Sequence, residues 1–260
     1  MPTDAVWAYA VMEGGGADGP IGGLRGVAGE PVRLVTAAGL AAAVGTVGLE
    51  EFGEEAIRRH LEDLDWLAAK ARAHDAVISA IARSVPVIPV RMATVYLGDN
   101  RVRQLLNARH DDFVAALNRV TGREELGVKA YADPKALGRR DDTADAGTGQ
   151  RLSGTAYLMR RRQALISQEE TYRIAGEEAQ RIHACLMAQA VDGKRKPPTD
   201  RKLSGTDTWT VLNGTYLVEA DRCDAFKAAV ASLESEIPGI ELEITGPWPP
   251  YSFAGDVVEQ

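Results

Sequence analysis

With 260 residues, 45% of them hydrophobic and 26% charged, the chain has the composition of a globular protein that can bury its own core without disulfide or metal staples. Its formal net charge of −7 argues against a general nucleic-acid binder, which carries a basic stripe to neutralise phosphates. No stretch approaches the roughly 20 apolar residues that cross a bilayer, and the first residues lack the basic start and apolar run of a signal peptide.

Ala5 to Val11 reads as a first strand. A glycine-rich, irregular segment follows, Gly14 to Gly29, in which Ile21, Leu24 and Val27 suit a short strand. Pro31 to Thr36 is a strand, and the length of the apolar run Gly39 to Val47 favours another. From about Glu54 to Ala82 the period becomes helical, with Leu61, Leu64, Ala68, Ala71, Ile78 and Ala82 on one stripe. Ser84-Val85-Pro86 ends that helix, because the residue before a proline is pushed out of the α region. Pro86 and Pro89 disfavour a central strand over residues 86–89, so the next strand is expected over Val90 to Tyr96.

A second helix is expected from Asn100 to Val120, closed by Thr121-Gly122. The strand Leu126 to Ala132 comes next, then a small, charged, turn-forming linker, Pro134 to Gly149. Ser153 is placed to cap the longest helix, reaching about Val191, and "DGKRKPPTD" reads as a loop. Asp207 to Glu219 is strand-like. Asn213-Gly214 within it is either a hairpin turn or a bulge in one strand. Asp221 is expected to cap a helix, Arg222 to Ser235, and Ile240 to Thr245 is the last strand, stopped by Gly246-Pro247. The fold class is therefore α+β. The boundary falls at residue 122, giving an N-terminal α+β domain, 1–122, and a C-terminal domain, 123–260, with an extended tail. The second domain's order of strands and helices is that of a ferredoxin-like unit.

Chemistry-bearing motifs are sparse. Gly14, Gly16 and Gly19 spell GxGxxG after a strand, but Pro20 and Gly22-Gly23 follow where a phosphate-binding helix would have to start, so the segment reads as a loop. His60, His74, His110 and His183 are scattered and form no ligand spacing. Cys185 and Cys223 read as reduced thiols of a cytoplasmic protein. The basic runs Arg160-Arg161-Arg162 and Lys194-Arg195-Lys196 have acidic residues nearby and read as a solvated helix face and a basic loop. The expectation is no enzyme, no cofactor and no metal.

Two segments that combine prolines with large apolar residues remain distinctive, "SVPVIPVRMATVY" and "TGPWPPYSF". Proline lowers the entropy lost when a segment orders. Trp248, Tyr251 and Phe253 either fold back as a lid over their own domain or, with Pro86 and Pro89, form a docking surface for a protein partner.

The closing "LEITGPWPPYSF" resembles the C-terminal signature of the gas vesicle protein GvpF/GvpL family. So does the ordered set "AGLAAAVGTV", "HLEDLDWLAAKARAHDAVISAIARSVPVIPVRMATVY", "LGVKAYAD", "AYLMRRR" and "VLNGTYLVEADRCDAF". The resemblance runs from about residue 5 to residue 253. It implies two α+β domains, the second a modified ferredoxin-like fold. It also implies an accessory or minor structural protein, associated with gas vesicles in the cytoplasm, that assists shell assembly by binding the main shell protein GvpA and other accessory proteins. The glycine-rich loop and Gly214 depart from the family pattern. A ferredoxin-like second domain is also compatible with a small-molecule-sensing regulatory module. RNA binding is disfavoured by the charge and by the absence of the aromatic signature of RNA-binding sheets.

Overall fold

A computed structural model describes residues 3–15, 21–60, 62–138, 154–197 and 209–254, the side chains of 135, 138 and 154–168 excepted. Helix and strand are mixed, and the strands form two sheets. The chain divides into two compact units, Met1–Glu125 with Trp248–Gln260, and Leu126–Pro247. The sequence placed residues 248–254 with the second half; they pack in the first unit.

The first unit is built on β1 (Asp4–Glu13), whose eight inner residues are all buried. It pairs antiparallel with β3 (Leu40–Gly48) on one side. On the other it meets two short strands, β4 (Ile88–Pro89) and β5 (Val95–Tyr96). β2 (Arg33–Ala37) pairs with β3 to give the order β2-β3-β1-β4. Helices cover both faces, which is why β1 reads as a continuous apolar run rather than an alternation. A register shift between Ala8 and Ala10 puts Tyr9 and Ala10 on the same face. That face, with Trp7 and Met12, packs on Val77, Ile78 and Ile81. Val6, Ala8 and Val11 face Val102, Leu106, Phe113 and Leu117.

A four-residue helix, α1 (Leu49–Phe52), comes first, and the expected helix from about Glu54 to Ala82 is two helices, α2 (Glu54–His60) and α3 (Leu64–Ala82). The Asp63 carboxylate accepts the backbone N–H groups of Asp65 and Trp66, both at 3.1 Å, and so starts α3 afresh. Leu64, assigned to the buried stripe by its spacing, is 76% exposed at that start, and Leu61 lies outside the described residues. The second expected helix is likewise divided into α4 (Asp99–Ala108) and α5 (His110–Val120) by Arg109 at φ −113°, ψ 23°. Ile21, Leu24 and Val27 form no strand. The strand expected over Val90 to Tyr96 reduces to β5, and Ile88–Pro89 forms a strand instead. Proline is tolerated there because β4 ends the sheet, where a missing N–H breaks no interior ladder bond.

The second sheet has the order β7-β8-β6-β9, from β6 (Arg123–Ala132), β7 (Asp192–Arg195), β8 (Trp209–Glu219) and β9 (Ile240–Trp248). Leu126, Val128, Ala130 and Ala132 point to one face at the strand period of two. They meet Ala175, Ala179, Ile182 and Leu186 of α7 (Gly154–Met187), and Phe226, Val230 and Leu233 of α8 (Cys223–Glu236). A five-residue helix, α6 (Pro134–Gly138), opens the segment expected as linker; the rest of that segment, 139–149, and Ser153 lie outside the described residues. Part of the expected loop is β7. β8 does not turn at Asn213-Gly214: β7 pairs with it antiparallel, Gly193 opposite Tyr216 and Arg195 opposite Gly214. A Cβ on Gly214 would lie 2.7 Å from the Tyr216 hydroxyl oxygen, so this glycine makes room for a buried ring. α8 follows a 3-10 turn, Ala220–Arg222, and has no side-chain cap, so Asp221 does not cap it. β9, at the sheet's end, continues through Gly246-Pro247 instead of stopping there. Among the described residues, no helix is long and apolar enough to cross a membrane.

Candidate functional site

The C-terminal segment that starts at Trp248, the last residue of β9, holds three of the five residues singled out in the sequence. Pro249 and Pro250 have no N–H to satisfy and are both buried. The carbonyl of Pro250 accepts the N–H groups of Phe253 (3.2 Å) and Ala254 (3.0 Å), which turns the chain inward. Phe253 is 1% exposed, and Ala254 joins Val102, Leu106, Phe113 and Leu117 in the core. Ser252 holds Glu125 at two points: its backbone N–H donates to Oε2 at 2.8 Å and its hydroxyl to Oε1 at 2.6 Å. Glu125 is buried, so these charge-assisted bonds replace water around its carboxylate. The Tyr251 hydroxyl donates to Oδ1 of Asp75 on α3 at 3.4 Å. Burial, with the nearby Asp75 charge, holds this phenol above its ordinary range. Within four residues the segment therefore touches α3 through Tyr251 and the α4–α5 layer through Ala254, crossing from one helical layer of the first unit to the other.

Trp248 and Tyr251, three positions apart, remain 47% and 40% exposed. Pro86 is exposed in the turn after α3, whereas Pro89 is buried in β4. Of the five, then, Pro86, Trp248 and Tyr251 are at the surface, and Pro89 and Phe253 are buried. Leu97, 65% exposed between β5 and α4, and Leu64 are surface apolar residues that the periodicity did not single out. Their signal, an apolar residue just before a helix or in its first turn, is too common in sequence to stand out.

Polar groups inside the first unit are consumed by structure. Trp7 Nε1–H donates to Nδ1 of His74 at 3.0 Å, and His74 Nε2 lies 2.9 Å from the Val90 carbonyl oxygen. An indole can only donate, so Nδ1 is bare and Nε2 carries the proton. The Tyr9 hydroxyl donates to Glu30 Oε1 at 2.5 Å and accepts the N–H of Val27 at 2.9 Å, pinning the glycine-rich loop to β1. Burial, reinforced by the Glu30 hydrogen bond, pushes the Tyr9 phenol well above its usual range. Lys70 Nζ lies 2.9 Å from Glu51 Oε1, donates to the Val27 carbonyl at 2.9 Å and sits 5.1 Å from the Phe52 ring centroid. In the second unit, His183 Nδ1 lies 2.9 Å from the Tyr216 hydroxyl. Cys185 and Cys223 are not joined in a disulfide; Cys185 is exposed, and Cys223 is buried with its Sγ 3.6 Å from the Glu219 carbonyl oxygen. Among the described residues no group of three or more His, Cys, Asp or Glu side chains is placed to hold a metal ion.

Comparison with known proteins gives this arrangement its context. The sequence model described as "Gas vesicle synthesis protein GvpL/GvpF" matches residues 5–255. The chain is 43% identical over 257 residues to gas vesicle protein L of Streptomyces sp. (strain CB03234), covering 98% of this chain and 95% of that protein. It is 27% identical over 235 residues to gas vesicle protein F of the same organism, covering 86% and 88%. Its fold is similar to the crystal structure of GvpF from Anabaena sp. PCC7120, with a TM-score of 0.70, 16% identity and 96% of each chain covered. It is also similar to that of GvpF from Microcystis aeruginosa, with a TM-score of 0.67, 17% identity and 96% and 98% covered. With a family match from residue 5 to residue 255, the chain belongs to the gas vesicle synthesis protein GvpL/GvpF family.

Proposed function

We propose that this chain is a non-enzymatic accessory or minor structural protein of gas vesicles. In this reading it assists shell assembly by binding the main shell protein GvpA and other accessory proteins in the cytoplasm. The family match across residues 5–255 carries the gas vesicle role. Identity of 43% to an L protein, against 27% to the F protein of the same organism, supports an L-type member. The sheet order β7-β8-β6-β9, built in the sequence strand, helix, strand, strand, helix, strand, supports reading the second unit as a modified ferredoxin-like domain.

A shell subunit that borders a gas space must hide an apolar face before assembly, since large exposed patches of that kind aggregate. The half-exposed Trp248 and Tyr251, held at the surface by the buried Pro249, Pro250 and Phe253, suit a docking face for such a partner, with Pro86 as a further contact. Co-purification of the main shell protein with the full chain and with the Trp248→Ala/Tyr251→Ala variant tests this. The reading expects capture by the wild type at least tenfold above an unrelated acidic protein, and loss of that excess in the variant while it still unfolds cooperatively well above the assay temperature. Equal capture by wild type and the control removes the partner assignment; equal capture by wild type and variant moves the docking face elsewhere.

A further inference from the structure

The first unit is discontinuous. The chain leaves it at Glu125, builds the whole of Leu126–Pro247, and returns at Trp248. The two ends of the excursion are then joined within the first unit by the paired hydrogen bonds of Ser252 on Glu125, 127 residues apart in sequence. Closing so long a loop in an otherwise unfolded chain is entropically costly. The second sheet removes that cost, because its strands β6 and β9, which carry the chain out and back, are neighbours. Once they pair, Glu125 and Ser252 are each only a few residues from adjacent strand ends.

We infer that the second unit acts as a folding-order device for the first: pairing of β6 with β9 brings Ser252 to Glu125, and only then does the segment Trp248–Ala254 seal the α4–α5 layer. Three observations carry this. Glu125 and Ser252 are clasped at both carboxylate oxygens. Phe253 and Ala254 are 1% and 2% exposed, so the segment is part of the core and not an appendage. Ala254 contributes to the cluster formed by Val102, Leu106, Phe113 and Leu117, which is incomplete without it. The dependence runs one way: the second unit's own cluster, from Leu126 to Leu242, takes no residue from the segment.

Pulsed hydrogen-exchange labelling of the full chain during refolding, read by mass spectrometry, tests the order. Peptides from β6, β8, α8 and β9 are expected to gain protection before those from α4, α5 and residues 248–254. Native-state exchange of two variants tests the direction. Ser252→Ala is expected to speed exchange in α4 and α5 about tenfold and to leave α8 and β9 unchanged. Phe226→Leu, in the second core, is expected to speed exchange in α8, β9, α4 and α5 alike. Protection of α4 and α5 before or together with the second unit would overturn the inference. So would Ser252→Ala acting equally on both units or on neither. If Phe226→Leu does not fold, labelling of the wild type alone decides.

Discussion

Trp7 and His74, 67 residues apart, share a buried hydrogen bond in which the indole N–H points at Nδ1, 3.0 Å away. The imidazole is thereby fixed as the neutral tautomer with its proton on Nε2, and protonating Nδ1 would set two donors against each other.

Acid should therefore weaken the fold through His74. Burial holds its pKa below the ordinary 6.5, against the opposing influence of the Val90 carbonyl and Asp75. Above about pH 6.5 the residue is neutral folded and unfolded, and the stability is complete. As pH falls below that value the unfolded chain takes up a proton that the folded chain refuses, and stability drops. His183, depressed by burial and by Arg195, contributes with the same sign. Urea midpoints at pH 7.5 and 5.5 should show a larger drop for the wild type than for His74→Gln. Parallel drops would mean that His74 is not the source.

Gly214→Ala should destabilise the second unit by about 1–3 kcal/mol through overpacking. The added Cβ would meet the Tyr216 hydroxyl at 2.7 Å and ring carbons at 2.8 and 3.0 Å. Gly193→Ala should cost less, since the nearest obstacle, Met187 Sδ, is part of a flexible side chain and the Tyr216 ring carbons lie farther off, at 3.0 and 3.3 Å. In a Tyr216→Leu background the Gly214→Ala penalty should largely vanish, a non-additivity that chemical denaturation of the four proteins would measure.

The β2–β3 hairpin turns on two residues, Ala38 at φ 51° and Gly39 at φ 78°. Both positive angles fit a type I′ turn, which favours Asn-Gly, and an alanine there carries about 1–2 kcal/mol of strain. Ala38→Asn is expected to raise the melting temperature by about 2–4 °C. A fall on calorimetry would show that the turn is held in some other way.

Within the C-terminal segment the effects should be graded by burial. Phe253→Ala should cost about 3–5 kcal/mol, as for other fully buried aromatics. Trp248→Ala, at a side chain 47% exposed, should cost under about 1 kcal/mol. Thermal unfolding of both variants checks the ranking. Equal costs would contradict the burial order.

Patterns that depend on neighbouring residues were legible in the sequence: the apolar runs of β1 and β3, the end of α3 before Pro86, the strand-helix order of the second half. What the sequence hid depends on single polar atoms or on distant partners. Asp63 interrupts a helical stripe whose spacing continues unbroken through it, and Arg109 does the same between α4 and α5. β7 is short and charged, and becomes a strand only because β8 offers it an edge. Gly214 resembles a turn signal until the Tyr216 ring lying beside it is known. The aromatic tail was recognisable as distinctive, and the resemblance carried by "TGPWPPYSF" agreed with the family match. Its seat was not readable, because Glu125 and Asp75 are ordinary surface-type residues until a serine and a tyrosine from the far end of the chain reach them.

The late position of Ala254 has a consequence for the protein while it is being made. Residues up to Val120 emerge from the ribosome with their α4–α5 layer still short of its last packing group. At roughly 5–20 residues per second, the remaining synthesis delays that group by on the order of ten seconds. For that interval the cluster around Val102 and Phe113 lacks Ala254, and a chain interrupted before Trp248 would lack it for its lifetime.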